Sequence, residues 1–225
     1  MSLETLKLPF YVTTSEHDPV ADFFDPVLER AQQYDIAVGY FSSAWLRDAA
    51  HGMSSFALNG GKARWIISPE LSLEDFKSLQ VEGQMSEERV REIISRSYDE
   101  LYQQLTQHTR EALGWLIDDG VLSFKIGIPK NRLSGIMHAK QGMFTDEFGN
   151  RVGFLGSYNL TGGAGTNWEA FSVFCDWTSS ESLERNNRIA GSFDRMWRGL
   201  DPNLALYDPS AADLESFVSA ARESS

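Results

Sequence analysis

The chain has 225 residues, of which 42% are hydrophobic and 12% aromatic, enough to bury the core of one large domain or two small ones. Its 20 Lys and Arg residues against 32 Asp and Glu residues give a formal net charge of −12, which argues against a protein built to coat a polyanion. The sequence has no apolar run of about 20 residues and no secretory signal, which predicts a cytoplasmic protein with no membrane span. Cys175 is its single cysteine, so no internal disulfide is expected.

The first half of the sequence alternates between strand and helix patterns. Residues 6–14 predict an edge strand, and residues 18–33 place apolar side chains on one face of a helix. Residues 36–41 form a continuous apolar run, as in a strand that is covered on both faces, and residues 63–67 form a second one. Because a helical crossover of about 20 residues separates these two strands, we expect them to be parallel and joined by a right-handed connection.

The second half predicts one long helix, then four strands and a closing helix. Apolar side chains recur every three or four residues from position 86 to position 118, and Gly120 ends this helix. The strands and the closing helix cover residues 121–128, 135–144, 151–156, 169–177 and 180–197. The weakly patterned residues after Pro202 predict either a last helix or a linker. We therefore expect an α/β fold, a mixed β-sheet flanked by helices on both faces, over residues 1–200, and a tail, or a linker to a further domain, over 201–225.

Five polar residues near the end of this predicted sheet are candidates for a catalytic site. His138 and Lys140 stand two residues apart in the strand pattern, so their side chains project to the same side. A hairpin then returns a strand that ends at Ser157 and Asn159, and Glu169 begins the strand after it. The sequence therefore predicts that these side chains meet at one edge of the sheet.

These residue types suit the cleavage of a phosphodiester bond. An imidazole, here that of His138, can attack phosphorus. An ammonium with hydroxyl and amide donors can stabilise the charge on the non-bridging oxygens, and Lys140, Ser157 and Asn159 supply these donors. A carboxylate such as that of Glu169 can hold the imidazole in one tautomer by a hydrogen bond to its other nitrogen.

The spacing resembles the catalytic signature of the phospholipase D superfamily: His138-x-Lys140, then Gly156-Ser157-x-Asn159, then Glu169. It is most similar to the branch of single-motif nucleases, some of which are fused to helicase-like ATPases or belong to bacterial DNA-restriction systems. The resemblance implies a metal-independent phosphodiesterase without a cofactor, which cleaves nucleic acid through a phosphohistidine on His138, with DNA favoured over RNA. It also implies that Lys140, Ser157 and Asn159 bind the substrate phosphate.

Two features bear on this resemblance. The superfamily often has an aspartate five residues after the lysine, where this chain has Thr145 beside Asp146, and the change marks either the single-motif branch or a weakened site. The chemistry also implies a second histidine for the leaving group, and His17, His51 and His108 lie in no matching context. The resemblance therefore implies a homodimer, in which a twofold-related copy completes the site.

Other functions and other interpretations of the same residues stay open. The chain could be a lipid-type phosphodiesterase, although such enzymes usually carry two motifs in one chain. It could also be a non-catalytic module of a larger ATPase that binds phosphate or nucleic acid and dimerises, an alternative that the net charge of −12 favours. His138 and Lys140 could be a solvent-facing pair on an edge strand, and Glu169 could be a solvated charge at the start of a strand.

Overall fold

One mixed sheet organises the computed structural model, which describes residues 1–39, 43–68, 87–131, 133, 137–138, 140–158 and 167–223. Eight strands in these residues form the sheet: β1 (Tyr11–Thr13), β2 (Gln33–Val38), β3 (Lys62–Ile67), β4 (Leu122–Pro129), β5 (Lys140–Thr145), β6 (Arg151–Gly156), β7 (Ala170–Cys175) and β8 (Leu204–Tyr207). Their order is β1-β7-β6-β5-β2-β3-β4-β8, with β2, β3 and β4 parallel and the other neighbours antiparallel. The sheet confirms the predicted α/β class and the parallel pairing of β2 with β3.

Helices cover both faces of this sheet, as predicted. The α-helices of the described residues are α1 (Asp25–Leu28), α2 (Ser43–Asp48), α3 (Ala50–Leu58), α4 (Glu87–Gln104), α5 (Gln107–Asp118), α6 (Ser180–Trp197) and α7 (Ala211–Glu223). On one face, Phe193 of α6 packs in a cluster with Ala37 and Ile66. On the other face lies a larger aromatic core, in which the rings of Phe23 and Phe144 meet edge to face at 6.0 Å. None of the helices in the described ranges is long and apolar enough to cross a membrane.

The prediction of a helix over residues 18–33 is wrong in its length. The chain instead forms a π-helical turn at Val20–Phe24 and the short α1, which ends at Leu28. Pro26 has no backbone N–H and cannot donate to the carbonyl four residues earlier, which favours the wider turn before it. The apolar face that the spacing predicts is nevertheless buried, because Phe23 and Phe24 are fully buried.

The predicted long helix over residues 86–118 is in fact two helices, α4 and α5. Thr106 has an extended backbone, with ψ at 158°, and precedes α5 as its N-cap residue. The guanidinium of Arg110 donates to the carbonyl oxygens of Tyr102 at 2.8 Å and Gln103 at 3.2 Å, at the end of α4, where the break removes the usual N–H donors four residues further on. The apolar periodicity does not reveal the break, because both helices bury their apolar faces in the same core.

The residues after Pro202 form a strand and a helix. β8 lies at the edge of the sheet and pairs antiparallel with β4, with Leu204 opposite Pro129. α7 packs so closely on α5 that a Cβ on Gly114 would clash with the carbonyl oxygen of Phe217. Of the two predicted alternatives for this segment, a helix is therefore present. The strand is four residues long, too short for its pattern to stand out in the sequence.

Candidate active site

Several strands begin or end at one edge of the sheet. Val38 at the end of β2 pairs with Lys140 at the start of β5, and Thr13 at the end of β1 pairs with Ala170 at the start of β7. β6 ends at the same edge, because it is antiparallel to both β5 and β7. The polar residues of interest at this edge, which we name the site edge, are Thr14, His138, Lys140, Ser157 and Glu169.

Lys140 contacts His138 although His138 lies before the strand. The prediction of a strand from residue 135 is wrong for Met137 and His138, which are not part of β5, whereas residues 135, 136 and 139 lie outside the described residues. The Nζ of Lys140 nevertheless lies 2.7 Å from Nδ1 of His138 and donates to the carbonyl oxygen of His138 at 3.1 Å. Gly39 lies against the chain just before this pair, since a Cβ there would lie 2.9 Å from the Met137 carbonyl oxygen. The predicted pair therefore forms through a lysine side chain that folds back, and not through strand alternation.

Lys140 is a buried charge beside an exposed imidazole. The lysine is 5% exposed, whereas His138 is exposed to solvent. Burial lowers the pKa of the Lys140 ammonium, and the negative charge of Glu169 partly offsets this lowering. The charge of Glu169 therefore acts on Lys140 at the site edge.

Glu169 is bound to Ser157 rather than to His138. The Ser157 hydroxyl donates a short hydrogen bond to Oε2 of Glu169, and the backbone N–H of Ala170 donates to the Ser157 oxygen at 3.1 Å. The hydrogen bond predicted between Glu169 and the imidazole is not among the contacts of the described residues, where the ammonium of Lys140 lies against Nδ1. Glu169 thus acts electrostatically on Lys140, and the ammonium of Lys140 is what contacts His138.

Thr14 is a residue of the site edge that the sequence did not single out. Its backbone N–H donates to the carbonyl oxygen of Glu169 at 3.0 Å, and its Oγ1 accepts from the N–H of Glu169 at 3.0 Å. The same hydroxyl donates to the carbonyl oxygen of Asn167 at 3.0 Å. Only the pairing of β1 with β7 could have identified Thr14, since 155 residues separate it from Glu169.

Asn159 and the glycine-rich residues 160–166 lie outside the described residues. The residue before them, Tyr158, is 4% exposed, and its ring stacks on Phe24 at 5.8 Å. Burial raises the pKa of the Tyr158 phenol, and nearby carboxylates, Glu169 among them, raise it further. Tyr158 therefore anchors the chain after β6 in the core and stays neutral.

The residues at the superfamily's aspartate position serve the fold and not the site edge. Thr145 and Asp146 lie at the far end of β5, about 20 Å from Lys140 at the usual rise of a strand. The Asp146 carboxylate accepts from the backbone N–H groups of Leu3, Phe148 and Asn150 at 2.8, 2.9 and 2.8 Å. Asp146 thus shapes the β5–β6 turn and binds the N-terminal segment to it.

Gly156 sets the position of Ser157, and we expect Gly156→Ala to destabilise the protein. A Cβ there would lie 2.5 Å from Cα of Phe171 and would clash with the carbonyl oxygen of Ala170. Because the β6–β7 pair must open to admit a methyl group, we expect the free energy of unfolding to fall by about 1–3 kcal/mol in urea titrations.

Gly191→Ala is the matched control for this prediction. A Cβ on Gly191, in α6, meets nothing within 4 Å. Alanine has the higher helix propensity, so this variant should be about 0.5–1 kcal/mol more stable than the wild type. If the two alanine variants are equally stable, Gly156 is not needed for the close approach of β7.

Solved structures resemble this chain, although no protein-family model and no curated protein matches it. NucT from Helicobacter pylori is similar over 84% of this chain and 96% of its own, with 16% identity and a TM-score of 0.50. Phosphatidylserine synthase from Haemophilus influenzae Rd KW20 is similar over 97% of this chain and 46% of its own, with 13% identity and a TM-score of 0.51. Nuc from Salmonella typhimurium, a phospholipase D family member, has 11% identity and a TM-score of 0.47 over 88% and 97% of the two chains.

NucT and the synthase are members of the phospholipase D superfamily. Their similarity covers 84% and 97% of this chain, respectively. At these identities the likeness concerns the fold, and the fold is the one that the resemblance of residues 138–169 implies.

Proposed function

We propose that this chain, which has the phospholipase D-like fold, is a phosphodiesterase that cleaves nucleic acid with His138 as the nucleophile. One observation supports this most: the ammonium of Lys140 is 5% exposed and lies 2.7 Å from Nδ1 of His138. Among the described residues, the hydrogen bonds of this ammonium go to His138. Burying an ammonium costs free energy unless an anion binds it. A substrate phosphate at the site edge would be that anion.

The proposed reaction starts when a phosphate reaches Lys140. While an ammonium donates a hydrogen bond to Nδ1 of an imidazole, Nδ1 is occupied and Nε2 carries the proton. Neither nitrogen can then attack phosphorus. A bound phosphate draws the ammonium of Lys140 to its oxygens and so releases the imidazole of His138. The imidazole then forms a P–N bond as the bond to the leaving oxygen breaks, and water hydrolyses the phosphohistidine.

The other predicted site residues assist this step. We assign the non-bridging oxygens to Lys140 and Asn159, which donate hydrogen bonds where negative charge accumulates. Ser157 joins them once its single O–H turns from Glu169 to the phosphate. We assign to Glu169 the role of raising the pKa of Lys140, which favours the protonated ammonium. This role differs from the predicted one, because the carboxylate accepts a hydrogen bond from Ser157 and not from His138.

A second copy of the chain is proposed to complete the site. The leaving oxygen needs a proton, and an imidazole that is forming a P–N bond cannot supply it in the same step. The partner's His138 can supply it, which makes the active species a homodimer. Light scattering on active protein should give the mass of a dimer, and a monomer with full activity would contradict the shared site.

The proposed function is tested with bis-p-nitrophenyl phosphate and with labelled single- and double-stranded DNA and RNA, each with and without EDTA. We expect cleavage in EDTA, because His138 is the nucleophile and Lys140 supplies the positive charge that stabilises the phosphate oxygens. No step calls for metal-bound hydroxide. Loss of activity in EDTA would contradict the phosphohistidine scheme. A protein inert on every substrate would favour the alternative of a non-catalytic phosphate-binding module.

We expect Glu169→Gln to move the alkaline limb of the pH–rate profile to lower pH. Lys140 has to be protonated, so activity is lost as the pH rises through the pKa of Lys140. Burial already lowers that pKa and the charge of Glu169 raises it, so removing the charge lowers the pKa further. The profile of kcat/KM on bis-p-nitrophenyl phosphate measures this limb.

Glu147→Gln is the matched control for the shift. Glu147 is a carboxylate that pairs with the N-terminal amino group at 3.0 Å, far from the site edge. Its variant should have the alkaline limb of the wild type. An unshifted limb in Glu169→Gln would show that Glu169 does not act through Lys140.

A further inference from the structure

Trp168 is an exposed aromatic side chain directly before Glu169. It is 66% exposed, although an indole is among the largest apolar groups that a protein can bury. Its neighbour in the chain, Glu169, carries the carboxylate that accepts the hydrogen bond of Ser157. A large apolar ring is therefore held in water beside the site edge.

The backbone on both sides of Trp168 is fixed. Thr14 binds Asn167 and Glu169 through three hydrogen bonds of 3.0 Å each. A ring on a fixed backbone loses less conformational entropy when a ligand stacks on it than a ring on a free loop does. Trp168 thus offers a preorganised surface.

The charges near the site edge are unfavourable for binding a polyanion through its phosphates alone. The chain has a net charge of −12. Burial, and then the charges of Asp18 and Asp48, raise the pKa of Tyr158, so both carboxylates lie near the end of β6. Against them stand, among the described residues, Lys140 and the exposed Lys130 just beyond β4, whereas Arg47 is paired with Asp48 at 3.1 Å. So few unpaired cations can neutralise few phosphates, and affinity for nucleic acid needs another source.

We propose that Trp168 is a stacking platform for an unpaired nucleobase next to the scissile phosphate, so that the substrate is a single-stranded nucleic acid. This proposal rests on the proposed function of the same site. Every base has a face that stacks on an indole, whatever the sequence. In a duplex these faces are covered by the neighbouring base pairs, so a base would first have to be unstacked.

The test is made in the His138→Ala background, which should not cleave the probe, and compares this protein with its Trp168→Ala and Trp115→Ala variants by fluorescence anisotropy of a labelled oligonucleotide, as a single strand and as a duplex. Trp115 is a matched control, because it is 50% exposed and lies on α5, which packs near β4, five positions from β7 in the strand order. We expect Trp168→Ala to weaken single-strand binding by about 5- to 150-fold and Trp115→Ala to leave it unchanged.

The salt dependence of binding gives a second readout. If only Lys130 and Lys140 neutralise phosphates, the logarithm of the association constant should fall with the logarithm of the salt concentration at a slope of about −1.4. The His138→Ala protein should also bind the single strand more tightly than the duplex. A slope of about −5, together with equal binding of the single strand and the duplex, would overturn the proposal.

The outcomes distinguish the platform from the proposed function, because anisotropy requires no turnover. Binding of single strands through Trp168 without cleavage of any substrate would support the platform and refute the phosphodiesterase. An unchanged dissociation constant in Trp168→Ala, with cleavage of bis-p-nitrophenyl phosphate by the wild type, would overturn the platform alone. If Trp168→Ala instead dissociates a dimer in light scattering, a second copy covers the ring and the proposal is wrong.

Discussion

We expect His138→Ala to lower kcat on bis-p-nitrophenyl phosphate by at least about 10³-fold, because it removes the atom that attacks phosphorus. The fold should persist, since the His138 side chain is exposed and its ring contacts the Lys140 ammonium rather than the core. Steady-state kinetics in EDTA measure the loss, and urea unfolding with circular dichroism checks the fold.

His108→Ala is the matched control for this loss. The His108 side chain is 96% exposed and lies on α5, where it contacts Glu111 at 3.4 Å. Its variant should have wild-type activity. If His138→Ala keeps more than about a tenth of the wild-type rate, another group attacks phosphorus and the assignment of the nucleophile is wrong.

Elements with strong local signals could be predicted from the sequence. The strand over residues 151–156 and the helix over residues 180–197 have the predicted bounds. The strand is marked by the turn residues 146–150 before it, and the helix by Ser179, whose hydroxyl accepts from the N–H of Ser182 as an N-cap. The approach of His138 to Lys140 could also be predicted, because they are two positions apart in the chain.

Contacts between distant segments could not be predicted in the same way. Periodicity tells which side of a strand a residue faces, but not which partner it meets there. Glu169 meets Ser157 because Gly156 lets β7 approach closely, and it meets Thr14 because β1 pairs with β7. Neither cause leaves a pattern within a window of neighbouring residues. The choice of Ser157 over His138 as the partner of Glu169 therefore became visible only in the structure.

The other large effect is expected for Lys140→Met, which should lower kcat by about 10²–10³-fold and stabilise the protein at the same time. Activity falls because the phosphate loses its cation. Stability rises because methionine fills similar volume without the cost of burying an ammonium. We expect the free energy of unfolding to rise by about 0.5–2 kcal/mol. Such a pair of effects would identify Lys140 as a charge that serves activity and not folding.

The pH dependence of stability follows from the same burial. Burial lowers the pKa of Lys140 in the folded protein below the ordinary value of 10.5. Between these two pKa values the unfolded chain binds more protons than the folded one, so wild-type stability rises as the pH rises through this window. Lys140→Met lacks this titration. The free energy of unfolding of Lys140→Met should therefore exceed that of the wild type most at about pH 7, and the difference should shrink toward about pH 10.

Lys125→Met is the control, with the opposite expected sign. The Nζ of Lys125 lies 3.1 Å from the Asp208 carboxylate and 4.7 Å from the ring centre of Trp197, so methionine would lose both partners. We expect this variant to be less stable than the wild type but active. Urea titrations of the three proteins at both pH values measure the differences. If Lys140→Met is the less stable protein near neutral pH, the fold itself needs the ammonium, and its burial no longer argues for an anion beside His138.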